Sequence, residues 1–353
     1  MAINKIDIQD FLRLRGQHLI FDVRSPGEYH HAHIPGAFSL PLFTDEERKV
    51  VGTAYKQQSR EEAIKIGLDY FGAKMRKMVE QVEAELHDRN DRTVLVHCWR
   101  GGMRSAGVAW LLDLYGYKVY TLAGGYKAYR QWARERFESP YPFNVIGGYT
   151  GSGKTQVLHE LKQRGEEIID LEELARHRGS AFGAMDGEPA PTQEMFENLL
   201  AEELDKRKHS LTDLMPIWLE DESQRIGGIN LPHPFWVEMR KAPVCFIEVP
   251  FEERLKHIVE EYGVQNKEKL SGAVQRIQKR LGPLETKMTL QFLEEDNITE
   301  AFRILLKYYD KQYKKALDKR DNPAVAIQHI QCDEVNAVKN AEKIMTCRKQ
   351  VKQ

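Results

Sequence analysis

Asn144-Val145-Ile146-Gly147-Gly148-Tyr149-Thr150-Gly151-Ser152-Gly153-Lys154-Thr155 joins an apolar run, a glycine-rich turn and the start of a helical pattern. From Gly148 onward it fits G-x-x-x-x-G-K-[ST], with the strand before and the helix after that the motif requires. In such a loop the amides point at phosphate oxygens, the lysine neutralises charge, and the Thr hydroxyl can ligate Mg²⁺. Gly148, Gly151, Ser152, Gly153, Lys154 and Thr155 are therefore the expected phosphate-binding residues, and Mg²⁺ is a candidate ion. Further strands are expected at Glu167 to Asp170, Ile217 to Glu220 and Val244 to Val249, which makes this half α/β.

A carboxylate should close a neighbouring strand and complete the site. Met215-Pro216-Ile217-Trp218-Leu219-Glu220-Asp221-Glu222 ends an apolar run on acids, so Glu220, Asp221 and Glu222 are the candidates, with Glu248 as the alternative and a solvated turn as the plain reading. From Phe251 the chain is expected to be mainly helical and is rich in lysine. Between Thr299 and Arg320, Phe302, Leu305, Tyr309 and Tyr313 recur at helical steps and mark one apolar face. Lys307, Lys311, Lys314, Lys315 and Lys319 fall largely elsewhere, either as a solvated surface or as a face for RNA phosphates.

Upstream, Ser139-Pro140-Tyr141-Pro142 interrupts the pattern, because proline stops helices and favours extended chain. A domain boundary there divides the chain into residues 1–138 and 139–353. In the first part His18 to Val23, Val94 to Cys98 and Val119 to Leu122 read as short buried strands, with helices expected over Glu61 to Leu86 and Ser105 to Leu114. That alternation implies a parallel sheet covered on both faces.

The strand Val94 to Cys98 runs into Trp99-Arg100-Gly101-Gly102-Met103-Arg104-Ser105. Amides of Trp99, Gly101, Gly102 and Met103 can converge on the Cys98 sulfur, and the following helix start adds partial positive charge. Arg100 and Arg104 add full charges, so the loop favours thiolate, the nucleophilic form, near neutral pH. Cys98, Arg100 and Arg104 are the expected catalytic residues. Of the other cysteines, Cys245 lies in an apolar strand and reads as core, and Cys332 and Cys347 carry no motif. The spacing of the four cysteines fits neither a disulfide ladder nor a zinc site.

The net charge of −1 over 353 residues does not announce a nucleic-acid partner, although a local basic face would suffice. No run reaches the roughly 18 apolar residues of a membrane span. Met1 to Lys5 shows no apolar signal core, so a cytoplasmic protein with reduced thiols and no membrane partner is expected.

Leu19-Ile20-Phe21-Asp22-Val23-Arg24-Ser25-Pro26-Gly27-Glu28-Tyr29, then His33-Ile34-Pro35-Gly36-Ala37, resembles the opening signature of rhodanese domains, and Leu122-Ala123-Gly124-Gly125-Tyr126 resembles their closing segment. The resemblance covers about the first 135 residues. It implies a rhodanese fold with Cys98 as the chalcogen-carrying cysteine and Asp22 and Arg24 as a structural pair. Rhodanese loops commonly run Cys-x4-Arg, whereas this one runs Cys-x5-Arg from Cys98 to Arg104, with His97 before and Ser105 after. This spacing also matches cysteine phosphatases and should widen the anion cradle enough for a tetrahedral donor such as selenophosphate.

Together with the phosphate loop, Arg178-Gly179-Ser180-Ala181-Phe182-Gly183 and Glu220-Asp221-Glu222-Ser223, the chain resembles tRNA 2-selenouridine synthases over nearly its whole length. That resemblance implies an α/β fold with a rhodanese-like parallel-sheet domain followed by a P-loop NTPase-like α/β domain and a helical C-terminal region. It also implies a transferase that replaces sulfur by selenium in 2-thiouridine at the tRNA wobble position. The route would pass through an S-geranylated intermediate, with geranyl diphosphate and then selenophosphate as co-substrates and no tightly bound cofactor. The implied partners are thiolated tRNA and a selenophosphate-supplying enzyme, and the phosphate loop would then hold an isoprenoid diphosphate rather than ATP. The alternatives are a cysteine-dependent sulfurtransferase or phosphatase with a fused NTPase domain, for which no general-acid carboxylate is identifiable, and a non-enzymatic rhodanese-like module, against which the intact cysteine loop argues.

Overall fold

A computed structural model describes residues 4–87, 91–177, 189–208, 215–263, 267–318 and 327–351. Residues 178–183 and 319–320, which figure in the sequence reading, lie outside the described residues. The chain groups into two compact units, one of residues 1–136 with 192–202 and one of residues 137–191 with 203–353.

The first unit carries five strands: β1 (Asn4–Ile6), β2 (Leu19–Asp22), β3 (Ala37–Ser39), β4 (Thr93–His97) and β5 (Lys118–Leu122). They pair in the order β1-β5-β4-β2-β3, all parallel. Parallel neighbours need crossovers, and helices supply them on the sheet's faces. Every residue of the central strand β4 is buried, so its sequence is a near-continuous apolar run. The crossover from β3 to β4 holds two helices, Asp45–Gln57 and Arg60–Leu86. The first starts at a reciprocal cap: Thr44 Oγ1 accepts from the Glu47 amide and the Glu47 carboxylate accepts from the Thr44 amide. The second buries Ala63, Gly67, Phe71, Met78, Val82 and Leu86, mostly at four-residue steps on one face. Residues 192–202, C-terminal to the proline segment, complete this unit through polar contacts. Asn198 donates to the His33 carbonyl at 2.8 Å, Tyr129 donates to Glu202 at 2.6 Å, and Arg15 pairs with Glu202.

The second unit has β6 (Phe143–Gly148), β7 (Ile217–Glu220), the short antiparallel pair β8 (Arg225–Ile226) and β9 (Ile229–Asn230), β10 (Val244–Glu248) and β11 (Ile327–Gln331). Its main sheet is parallel in the order β11-β10-β6-β7. One core packs the helix Lys154–Gln163 against this sheet through Val157, Leu158, Leu161, Trp218 and Ile247. A second core gathers the helices Phe251–Tyr262, Lys267–Leu281, Pro283–Glu294 and Ile298–Asp318 around Leu255, Val274, Leu293, Phe302 and Leu305. The fold is thus α/β in both units, with the helical region following β10.

Two local expectations change. Glu167 to Asp170 is not a strand; only Ile168 bridges to Trp218. Asp170 instead caps the helix Leu171–Ala175, accepting from the Glu173 amide at 2.8 Å, and this local bond ends the extended stretch. Strand β11 was not anticipated within the lysine-rich region. It is a sheet edge, and of Ile327-Gln328-His329-Ile330-Gln331 only Ile330 is buried, so it lacks the apolar run of a central strand. No helix among the described residues is long and apolar enough to cross a membrane.

Candidate functional sites: a sulfur loop and a phosphate loop

Cys98 follows directly on the last residue of β4 and is 3% exposed. The helix Met103–Leu114 begins five residues later, two residues ahead of the expected Ser105 start. This return of the chain sets Ser105 Oγ 3.2 Å from Cys98 Sγ, and the same hydroxyl lies 3.1 Å from the Gly102 carbonyl. Gly101 makes the turn at φ +62°, where a Cβ would stand 2.4 Å from the Leu122 carbonyl oxygen. The segment after β5 closes over the loop: Tyr126 donates its amide to the Cys98 carbonyl at 2.8 Å and Lys127 to that of Trp99 at 3.0 Å. The segment Leu122 to Tyr126 is thereby fixed against the backbone of the cysteine loop.

Burial pushes the Cys98 thiol up, but the Ser105 hydroxyl, the Ser105 and Gly102 amides and the Arg104 charge together outweigh it and bring the thiol below its ordinary value. Cys332 is the contrast, since burial holds its thiol up. Cys245 and Cys347 are partly buried against the second unit's core. Of the predicted loop residues, Gly102, Arg104 and Cys98 come together. Trp99, Arg100 and Met103 are exposed, with Trp99 packed 5.7 Å from the Tyr126 ring. Arg104 bonds Glu28 at 3.0 Å, and Arg48 reaches the same carboxylate at 3.0 Å. Burial pushes the Glu28 carboxyl up, yet Arg104, the Ser25 amide and Arg48 hold it below the usual range. It stays ionised and is a poor general acid, which weighs against the phosphatase alternative.

Asp22 and Arg24 form a fully buried ion pair, and Arg24 also donates to the Ala32 carbonyl at 2.7 Å. Its guanidinium stacks 3.8 Å above the Tyr126 ring. The pair ties the first loop to the closing segment and does not reach the sulfur in any described contact. Ser105, legible in the sequence as the residue after Arg104 in the phosphatase-like run, gains its contact with the sulfur from the loop folding back.

In the second unit, Gly148 to Thr155 joins β6 to the helix Lys154–Gln163. Gly151 adopts φ +79°, and a Cβ there would meet the Ile258 side chain at 2.8 Å and the Arg254 carbonyl at 3.0 Å. Arg254, 3% exposed, braces the loop by donating to the carbonyls of Thr150 and Val249 at 3.0 and 3.1 Å, and pairs with Asp310 at 2.8 Å. Lys154 folds over the loop to the Gly148 carbonyl at 3.2 Å. Ser152 is fully buried, and its hydroxyl finds no hydrogen-bond partner among the described residues.

The three predicted acids separate by role. Asp221 accepts from the Tyr313 hydroxyl at 2.6 Å, and that hydroxyl in turn accepts from the Gly148 amide at 3.3 Å. Glu220 and Glu222 turn instead toward Glu172, with ligand oxygens of all three within 4.8 Å of one another. Burial, then the nearby Glu172 carboxylate, pushes Glu220 up to about 8, against the opposing pull of Lys154 and Thr155. Burial and the same neighbours raise Glu222 as well. Glu248, the alternative acid, pairs with His329 and Gln331 at the sheet edge. Glu172 was not read from the sequence; it lies on the short helix Leu171–Ala175, and only the fold brings it to Glu220 and Glu222.

Loop and acids line a cavity of about 540 Å³. The helices Phe251–Tyr262 and Ile298–Asp318 add Ile258, Tyr262, Phe302, Leu305, Leu306 and Tyr309 as its apolar lining, together with the polar His257, Glu261 and Tyr313. The face predicted from Phe302 to Tyr313 thus serves both core and cavity wall. Lys307, Lys311, Lys314 and Lys315 are exposed, and Lys319 lies outside the described residues.

Residues 141–343 match the family model described as the tRNA 2-selenouridine synthase AAA domain, and residues 7–131 match the rhodanese-like domain. A tRNA 2-selenouridine synthase of Nitrosomonas europaea is 38% identical over 270 residues, 75% of this chain and 68% of that one. One of Shewanella pealeana is 34% identical over 91% of this chain and 94% of its own length, and one of Hydrogenovibrio crunogenus is 36% identical over 85% and 90%. With one family model spanning more than half of the sequence and relatives matched along most of both chains, the chain belongs to the tRNA 2-selenouridine synthase family.

Proposed function

We propose that this chain is a cytoplasmic transferase that converts 2-thiouridine at the tRNA wobble position to 2-selenouridine, in two steps divided between its units. In the first, the thiouridine sulfur attacks C1 of geranyl diphosphate; a C–S bond forms, the C–O bond breaks and diphosphate leaves. In the second, selenophosphate replaces the geranyl-sulfur group at C2, geranylthiol leaves, and water cleaves the P–Se bond to release phosphate.

The cavity beside the phosphate loop is the observation that carries this reading. Its phosphate loop suits a diphosphate, and the apolar lining of Tyr262, Phe302, Leu305 and Leu306 suits a branched hydrocarbon. The raised carboxyls of Glu220 and Glu222 beside Thr155 fit a divalent cation, which would favour their ionised forms and offset diphosphate charge. Cys98, with its lowered thiol and Arg104 close by, suits exchange against an anionic selenium donor, supplied by a partner enzyme.

Chromatography of nucleosides from digested tRNA tests the division. Lys154→Ala should weaken geranyl diphosphate use roughly ten- to a hundredfold, from a lost charge-assisted phosphate contact of about 1.5–3 kcal/mol, so that 2-thiouridine accumulates at the expense of both products. Cys98→Ala should accumulate S-geranyl-2-thiouridine. If Cys98→Ala leaves only 2-thiouridine, the assignment of steps to units is wrong.

A further inference from the structure

The first unit holds a second cavity, of about 860 Å³, that the sulfur chemistry described so far does not use. Its walls come from the helices Asp45–Gln57, Arg60–Leu86 and Met103–Leu114, and its lining is mostly apolar, including Val51, Ile64, Leu68, Phe71 and Trp110. Several large side chains remain in solvent there: Leu68 is 57% exposed, Met103 55% and Trp110 50%. Water-facing apolar groups gathered in one concavity mark a binding surface. Of the glycines lining the cavity, Gly52 faces open space, since a Cβ there would meet nothing within 4 Å, whereas at Gly67 and Gly107 it would meet the rings of Phe43 and Phe71.

The groove is continuous with the sulfur loop. Met103 and Arg104 line it, and the Arg104 charge adds to the hydrogen bonds of Ser105 and Gly102 that lower the Cys98 thiol. Arg48, Lys49 and Lys56 also line it, a cationic margin that suits a ligand whose body is polyanionic and whose inserted part is apolar. A thiolated base carrying an isoprenoid chain on tRNA has that composition.

We propose that this groove holds the sulfur-bound isoprenoid chain of the alkylated tRNA base while chalcogen exchange takes place beside Cys98. The inference rests on the two-step reading and adds a second hydrocarbon subsite, for the leaving group, to the one at the phosphate loop. Holding the chain makes the alkylated base, and not the bare thiouridine, the substrate selected by the first unit.

The test uses the full-length protein, selenophosphate and tRNA alkylated in advance, which bypasses the first step. Wild type should show at least a tenfold lower KM for S-geranyl than for S-methyl tRNA. Leu68→Glu and Trp110→Glu should collapse that ratio toward one while melting as wild type does, since both positions are half-exposed, and Leu68→Met should retain it. A wild type that does not distinguish geranyl from methyl, or glutamate variants that keep the preference, would overturn the proposal. So would a wild-type dimer that Leu68→Glu dissociates without changing the KM ratio, because the groove would then be a contact between copies. Failure of the underlying reading is seen separately, as no S-geranyl product from geranyl diphosphate and unalkylated tRNA.

Discussion

Ser105→Ala should raise the thiol pKa of Cys98 by about one unit. A hydrogen bond to a charged group contributes about 1.5–3 kcal/mol. Ser105 Oγ lies 3.2 Å from the sulfur, but it also lies 3.1 Å from the Gly102 carbonyl and has one proton to give. Ionisation of Cys98 must draw that proton away from the carbonyl, so the low end applies. About 1.5 kcal/mol at about 1.4 kcal/mol per pKa unit gives an upward shift of about one unit. The amides of Ser105 and Gly102 and the charge of Arg104 remain in the variant, which is why the shift is not larger. The assay is the pH dependence of iodoacetamide alkylation of Cys98, followed by peptide mass spectrometry, with the Cys332 peptide as internal reference. An alkylation midpoint that stays in place or moves down would refute the account of the sulfur loop.

Arg254→Ala removes a buried guanidinium that braces the phosphate loop and strands Asp310; breaking a buried pair this way costs about 3–5 kcal/mol, to be read from urea unfolding. A loss below about 1 kcal/mol would mean the brace is not structural. Glu220 gives a pH dependence. Its folded pKa is raised to about 8 from 4.5, so between these values the folded state keeps a proton that the unfolded state has released, and stability falls as pH rises through that window. Glu220→Gln should therefore gain melting temperature over wild type above about pH 8 and not below about pH 4.5, and a parallel shift at both would contradict the buried-carboxylate account.

Much of the fold was legible because central parallel strands are apolar runs. Thr93 to His97 and Val244 to Glu248 announce themselves that way, and the phosphate loop is a local pattern of glycines. Edge strand β11 has one buried residue and gave no such signal. The site was legible where its chemistry is contiguous in sequence, as from Cys98 to Arg104. It was not legible where partners meet through the fold. Glu172 joins Glu220 from 48 residues away, Arg104 meets Glu28 across 76 residues, and Asn198 joins Arg130 across 68. Such pairs follow from topology, and no periodicity or spacing encodes them. Glu167 to Asp170 failed for a local reason, since an aspartate three residues before a free amide caps a helix as readily as it ends a strand.

The central claim, that this chain makes 2-selenouridine in tRNA with Cys98 as the essential thiol, has one direct measurement. Nucleosides from a strain lacking the gene are compared by mass spectrometry after complementation with wild type or with Cys98→Ser, in which the hydroxyl keeps the size but does not ionise near neutral pH as the thiol can. The account predicts that selenouridine is absent from the deletion strain, returns with wild type, and stays absent with Cys98→Ser. Selenouridine at wild-type levels in the Cys98→Ser strain would contradict it.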